Sequence, residues 1–380
     1  RCPRAGGIHA GFPETQGMSD ELSKELAVVR DEIDGIDAQL LDLLNRRAGC
    51  AKKVGEIKAR HGDAGFIYRP EREAQVLRRI QDMNPGPLSN ESVTWLFREV
   101  MSTCLSLEQP LSVAFLGPLG SFTGSAATKH FGHAARLLPQ SSIDDVFREV
   151  EAGHAHYAVV PVENSTEGAV GRSMDLLFST PLKICGEVVL RIHQNLMTRE
   201  TSLDKVTKVY SHAQSLAQCH EWLNRNLPNV PRISVGSNSQ AAEMAMQEDG
   251  AAAIAGEAAA ERFSVPILVA NIEDEPNNTT RFVVLGRFDA GVSGRDKTSL
   301  IMSAPNRTGS LHGLLLPLAE AGVSMTRLES RPARHTLWDY VFFVDIDGHH
   351  DEPKVAKALT ELKQQAAYLK VLGSYPAAVY

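Results

Sequence analysis

The sequence predicts a multidomain chain of three fold classes in succession: an all-α unit, an α/β domain and a ferredoxin-like α+β domain. Three observations predict this. Up to Pro110, apolar residues recur at helical spacing. From Val113 to about Leu285, short apolar runs alternate with helical stretches. From Ser299 the pattern reads strand-helix-strand-strand-helix-strand.

In the first part, Leu22, Leu26, Val29, Ile33, Ile36, Leu40, Leu43 and Leu44 mark one helix from Asp20 to about Arg60, with no proline inside it. A helix of about 40 residues runs about 60 Å, too long for a small globule, so it calls for a second chain. Gly62 to Gly65 breaks it. Pro70 suits the first position of a second helix ending near Met83. Asn84-Pro85-Gly86-Pro87 makes a turn, and Ser89 to Ser92 offers caps for a third helix running to about Glu108.

In the middle part, strands are expected at 113–116, 158–162, 206–210, 251–255 and 282–285, with helices over 142–152 and 239–247. Open sheets of this kind take ligands where loops leave the strand ends. The segment 286–296 reads as a linker. Beyond it, strands are expected at 299–303, 323–330, 338–346 and 367–375, with helices at 309–320 and 354–365.

The charge of −7 over 380 residues argues against nucleic acid or an anionic membrane as partner. An anionic substrate must find local cations. No apolar run approaches the roughly 20 residues of a membrane span. The five cysteines, Cys2, Cys50, Cys104, Cys185 and Cys219, are scattered without CxxC spacing, which suits reduced thiols and a cytoplasmic location. Residues 1–17 read as a disordered leader before Met18.

Chemistry-bearing residues cluster in each part. Arg47 and Lys58 stand 11 residues apart, about 20° apart round the helix and about 16 Å along it, so their long side chains can meet at one small anion. Arg30 lies about 25 Å from Arg47 and reaches that anion only from a second chain. In the middle part, Gly117 to Thr123, Pro161 to Gly168, Ser211 to Gln214 and Asn278 to Phe282 each bring hydroxyls, amides or glycine to a strand end. Backbone N–H groups at such points can face an anion. No ligand-spaced His/Cys/Asp cluster calls for a metal.

These segments, in this order, resemble the prephenate dehydratases over 112–287. Gly309-Ser310-Leu311-His312 and Glu329-Ser330-Arg331-Pro332 resemble the ligand motifs of ACT domains, over about 298–380. The cations at 30, 47, 58 and 72 with Glu73 resemble the all-helical chorismate mutases, within 18–109. The whole is similar to bifunctional chorismate mutase–prephenate dehydratases of phenylalanine biosynthesis, with a two-lobed dehydratase domain.

The resemblance implies two reactions and no cofactor. Chorismate is rearranged to prephenate, with Arg30 and Arg47 on carboxylates, Lys58 on the ether oxygen, and Arg72 and Glu73 on the substrate carboxylate and hydroxyl. Glu108 faces the ether oxygen and helps only as a protonated donor; some relatives carry Gln there, and Ser at Cys104. Prephenate then loses water and CO₂, with Thr280 as catalytic hydroxyl and Glu163, Asn164, Ser211 and Gln218 as its polar shell. Glu243 aligns loosely with that shell, and His212 reads as structural. Phenylalanine is expected between the ACT domains of a homodimer or higher homo-oligomer, at residues 309–312 and 329–332. Two other readings stay open: a non-catalytic small-molecule sensor, and a dehydratase whose helical domain only dimerises.

Overall fold

The structure, a computed structural model, describes residues 20–61, 68–304, 307–332 and 340–379. The expected leader 1–17, and Trp338 at the start of an expected strand, lie outside the described residues.

The helical unit comprises α1 (Asp20–Arg60), α2 (Pro70–Met83) and α3 (Asn90–Ser106). Pro70 starts α2, where its missing N–H has no partner to lose. The Ser89 hydroxyl caps α3 by accepting from Ser92 N at 3.1 Å, a contact worth about 1 kcal/mol. Helix α2 buries Ala74 and Leu77, and α3 buries Val93 and Cys104. Helix α1 differs. Val29, Ile33, Ile36, Leu40 and Leu43 are 49–55% exposed, so this part of its apolar stripe is left uncovered by the described residues.

The α/β domain has two lobes. The first contains β1 (Ser112–Leu116), α4 (Phe122–Phe131), β2 (Arg136–Gln140), α5 (Ile143–Glu151), β3 (Tyr157–Asn164), β4 (Gly168–Ala169), α6 (Gly171–Ser179) and β5 (Lys183–Arg191). The second contains β6 (Asn195–Thr198), β7 (Lys208–Ser211), α7 (Ala213–Gln218), α8 (His220–Asn226), β8 (Arg232–Ser234), α9 (Asn238–Gln247), β9 (Ala251–Ala255), α10 (Glu257–Phe263) and β10 (Ile267–Val269). The chain then returns as β11 (Thr279–Gly286) and inserts between β3 and β5, antiparallel to both. The sheets run β2-β1-β3-β11-β5, with β4 on β3, and β10-β6-β9-β7-β8. Two connections join the lobes, and β11 starts where one of them ends.

The C-terminal domain is β12 (Asp296–Ser303), α11 (Ser310–Glu320), β13 (Met325–Pro332), β14 (Tyr340–Asp347), α12 (Pro353–Gln365) and β15 (Tyr368–Pro376). Its antiparallel order β13-β14-β12-β15 is the expected ferredoxin-like one. It is not an appended bead. Ile301, Phe343, Leu372 and Tyr375 share one buried core with Ile184, Val283 and Leu285 of the first lobe. Gly373 makes this approach possible: at φ +153° its missing Cβ would lie 2.1 Å from Ile184 O.

The helical unit is also docked. Tyr68 enters the core of the first lobe beside Phe131 and Tyr157, with ring centroids 5.3 and 5.5 Å away. Arg78 on α2 donates to the carbonyls of Ser293 and Arg295 at 3.1 and 2.9 Å.

Candidate functional site

The helical unit holds a cleft of about 410 Å³. Arg47 and Lys58 reach it from α1, Arg72 and Glu73 from α2, and Glu108 from just beyond α3. Apolar Val54, Val76, Met101 and Leu105 line it as well. The first lobe contributes Phe131, which sequence reasoning had not connected with this site. Lys58 Nζ stands 3.2 Å from Glu108 Oε1, with side chains 22% and 9% exposed. Gly55 leaves the room for this: a Cβ there would fall 2.7 Å from Glu108 Cγ. Arg30 does not line the cleft.

Glu73 is placed less simply than expected. Its carboxylate accepts from Arg98 Nε at 3.3 Å. Burial raises its pKa, and Arg98 opposes that rise. Nearby, the Tyr68 hydroxyl lies 3.0 Å from His130 Nε2. Burial pushes the Tyr68 pKa well up and lowers that of His130 to about 3, so both stay neutral.

The second site lies where β11 leaves the lobe junction. Asn164 Nδ2 donates to Thr280 Oγ1 and to Asn278 Oδ1, both at 2.8 Å, and all three residues are buried. Asn164 Oδ1 accepts from the N–H groups of Thr166 and Glu167 at 3.0 and 3.2 Å. This leaves Asn164 in one orientation, with its NH₂ toward Thr280. Gln218 Nε2 donates to Glu167 Oε1 at 3.0 Å, and Gln194 donates to Gln218 Oε1 at 3.1 Å, linking the second lobe to the first. Asn278 Nδ2 and Gln194 Oε1 are buried without hydrogen-bond partners among the described residues, an orphan donor and an orphan acceptor.

Ser211 is fully buried, with Oγ 2.7 Å from Ile254 O and 2.9 Å from Asn238 Oδ1. Asn238 Oδ1 also accepts from His212 N at 3.0 Å, and Ser239 Oγ donates to Leu119 O at 3.0 Å. The loop entering α4 and the first turn of α9 therefore adjoin across the lobes, and helix starts present N–H groups suited to anions. The sequence reading missed Asn238 and Gln194; the Ser237-Asn238-Ser239 run after Gly236 was the available signal.

Glu163 requires a correction. It does not join the Thr280 shell. Side chains alternate along β3, so Asn164 meets Thr280 while Glu163 turns to the other face and pairs with Arg327 of β13 at 2.7 Å. Arg281 follows the same rule. It donates to Glu187 at 3.0 Å, to Asp345, and to the Tyr375 hydroxyl at 2.8 Å.

In the C-terminal domain, Gly309 precedes α11 at φ +79°, and Ser310, Leu311 and His312 form its first turn. Glu329, Ser330, Arg331 and Pro332 end β13, an edge strand. A cavity of about 290 Å³ beside Arg331 and Pro332 is walled by α6 and includes no residue of 309–312. His349, His350 and Asp351 have metal-ligand spacing. Their nitrogens are engaged, however: His349 with Ala290 O and Asp351 N at 2.9 and 3.1 Å, and His350 with Ser374 Oγ at 2.6 Å.

Fold and sites together define a multidomain enzyme of the chorismate mutase and prephenate dehydratase class, fused to an ACT regulatory domain. Family profiles match accordingly: chorismate mutase type II over 29–109, prephenate dehydratase over 113–290 and the ACT domain over 298–364. The bifunctional chorismate mutase/prephenate dehydratase of Neisseria gonorrhoeae is 54% identical, over 95% of this chain and 100% of that protein. That of Pseudomonas aeruginosa is 50% identical, again over 95% of this chain and 100% of its own length. The crystal structure of an Arthrobacter aurescens prephenate dehydratase in complex with L-Phe superposes with TM-score 0.64 at 32% identity, covering 71% of this chain and 93% of that one. The chain belongs to the bifunctional chorismate mutase/prephenate dehydratase family.

Proposed function

We propose that this chain converts chorismate to prephenate in the helical cleft and prephenate to phenylpyruvate at the lobe junction, with phenylalanine as inhibitor at the ACT domain. The observation that carries the reading is the convergence of Arg47 and Lys58 of α1, Arg72 of α2 and Glu108 just beyond α3 on one partly apolar cleft. A unimolecular rearrangement needs no nucleophile. It needs cations that hold two carboxylates in a compact conformer and a donor at the ether oxygen. Lys58 and Glu108 are the groups we assign to that oxygen. Arg30 completes the site from a second copy, which the bare apolar stripe of α1 supports.

At the second site, Thr280 acts as an oriented donor to the leaving hydroxyl, with Asn164 fixing its lone pairs. The first turns of α4 and α9 and the orphan donor of Asn278 supply contacts for the substrate's anionic groups. Loss of CO₂ is favoured where the ring carboxylate is poorly hydrated. Free Cys50, Cys104, Cys185 and Cys219 suit a reducing, cytoplasmic setting. The test is chorismate turnover with prephenate and phenylpyruvate both followed, with and without phenylalanine. Absence of phenylpyruvate from a folded sample given prephenate would favour the sensor reading.

A further inference from the structure

Strands β3 and β11 are paired so that Thr280 faces Asn164 and Arg281 faces Glu163. Alternation along each strand then divides the four side chains. Thr280 and Asn164 share the buried hydrogen bond of the dehydratase site. Glu163 and Arg281, their immediate chain neighbours, cross to the opposite face, where each meets the C-terminal domain through an ion pair.

The two pairs are built differently. Arg281 is saturated: Glu187, Asp345 and Tyr375 take its nitrogens, and Lys297 reinforces Glu187 at 2.7 Å. That hub is a fixed anchor. Arg327 is 12% exposed and its Nε lies 2.7 Å from Glu163 Oε2 as an ion pair without hydrogen-bond geometry, so that Nε and Nη2 are both buried without a hydrogen-bond partner among the described residues. An under-satisfied buried guanidinium holds one arrangement weakly and gains from another. It stands on β13, the edge strand that also carries Glu329 and Arg331. The β3–β11 register shifts at Arg281/Phe282, so the ladder is already irregular beside Thr280.

We propose that Arg327 is a positioning residue for the dehydratase: through Glu163 it transmits the state of β13 to the Asn164–Thr280 pair, against the fixed anchor at Arg281. Displacement of β13 by a ligand at its end moves Arg327, draws Glu163 along β3, and turns Asn164 relative to Thr280. This rests on the reading that phenylalanine acts at the ACT domain.

The test separates binding from inhibition in the full-length protein. Arg327→Met and Arg327→Lys are compared with wild type for phenylalanine-induced thermal stabilisation, for uninhibited prephenate turnover, and for the phenylalanine concentration giving half inhibition. Arg327→Met is expected to keep its uninhibited turnover and its stabilisation, while half inhibition requires roughly tenfold more phenylalanine, mid-range for ordinary coupling. Arg327→Lys, which keeps the charge, recovers part of the sensitivity. Glu163→Gln, which keeps shape and loses charge, is expected to show the same separation of inhibition from stabilisation, inhibition being measured relative to its own uninhibited rate, and serves if Arg327→Met fails to fold. Wild-type inhibition in Arg327→Met, or in Glu163→Gln where Met does not fold, overturns the proposal. A wild-type protein that phenylalanine neither stabilises nor inhibits removes the regulatory reading itself, and this inference with it.

Discussion

Adjacent residues in this chain serve different domains, and the strand period decides which. The sequence pointed to Glu163 and Asn164 together, but only Asn164 reaches Thr280; the other turns to Arg327. Motif recognition cannot see that division, whereas the two-residue repeat of a strand implies it once the pairing register is known. Thr280→Ala should reduce phenylpyruvate formation by roughly 10²–10⁴-fold, the ordinary share of a positioned proton donor. Chorismate loss in that variant should stay at the wild-type rate, because the mutase cleft contains no part of β11. Phenylpyruvate formed at the wild-type rate would remove Thr280 from the mechanism. Glu108 poses the opposite question, whether a carboxylate can assist where negative charge grows. Its Oε1 accepts from Lys58; if the ether oxygen sits beside it as proposed, a carboxylate's negative charge repels the charge growing there. Glu108→Gln keeps the shape, removes the charge and offers an N–H donor, so chorismate turnover in that variant should match or exceed the wild-type rate. Wild-type turnover in Glu108→Ala as well would leave Lys58 alone at the ether oxygen.

Among the elements, α1 was legible end to end, because 41 residues without proline carry one unbroken apolar stripe. Pro70 and Ser89 likewise marked the starts of α2 and α3. The second lobe was harder. Strands β6, β8 and β10 span four, three and three residues, too short for any periodicity to register, and α7 and α8 are nearly as brief. The strands' places are set by tertiary pairing instead: β6 on β9, β8 on β7 and β10 on β6. The same logic explains Phe131 and Gly55, whose links to the mutase cleft arise from domain packing and not from local pattern. For α1 the exposed stripe leads to a test of assembly. If Arg30 serves the neighbour's cleft, Arg30→Ala and Lys58→Ala should each lose mutase activity. Subunit exchange between the two variants should restore part of it, since one cleft of a mixed dimer then has every cation. No recovery, with mixed dimers shown by mass, would make each chain self-sufficient.

At the scale of the whole molecule, the three domains are welded, not strung. Tyr68 and Arg78 fix the helical unit to the first lobe and to the stretch between β11 and β12. The C-terminal domain shares a core with that lobe through Ile301, Phe343 and Leu372. Deleting the sensor would expose Ile184 and Leu285, so a truncated chain is a poor probe of regulation, and point substitutions are the better one. Phenylalanine binding at 309–312 and 329–332 across two copies should stabilise the assembly by linkage, about 2.7 kcal/mol at a hundredfold excess over Kd. The thermal midpoint should accordingly rise with phenylalanine, and dehydratase activity should fall over the same concentration range. Ser310→Leu replaces a hydroxyl buried without a hydrogen-bond partner among the described residues with a bulkier apolar side chain, and Arg331→Ala removes the guanidinium beside Asp175. Each should weaken stabilisation and inhibition together, in contrast to a transmission residue, which separates them. Both variants should keep the uninhibited rate, because neither side chain touches the Thr280 network. Undiminished stabilisation in both would place phenylalanine elsewhere on the molecule.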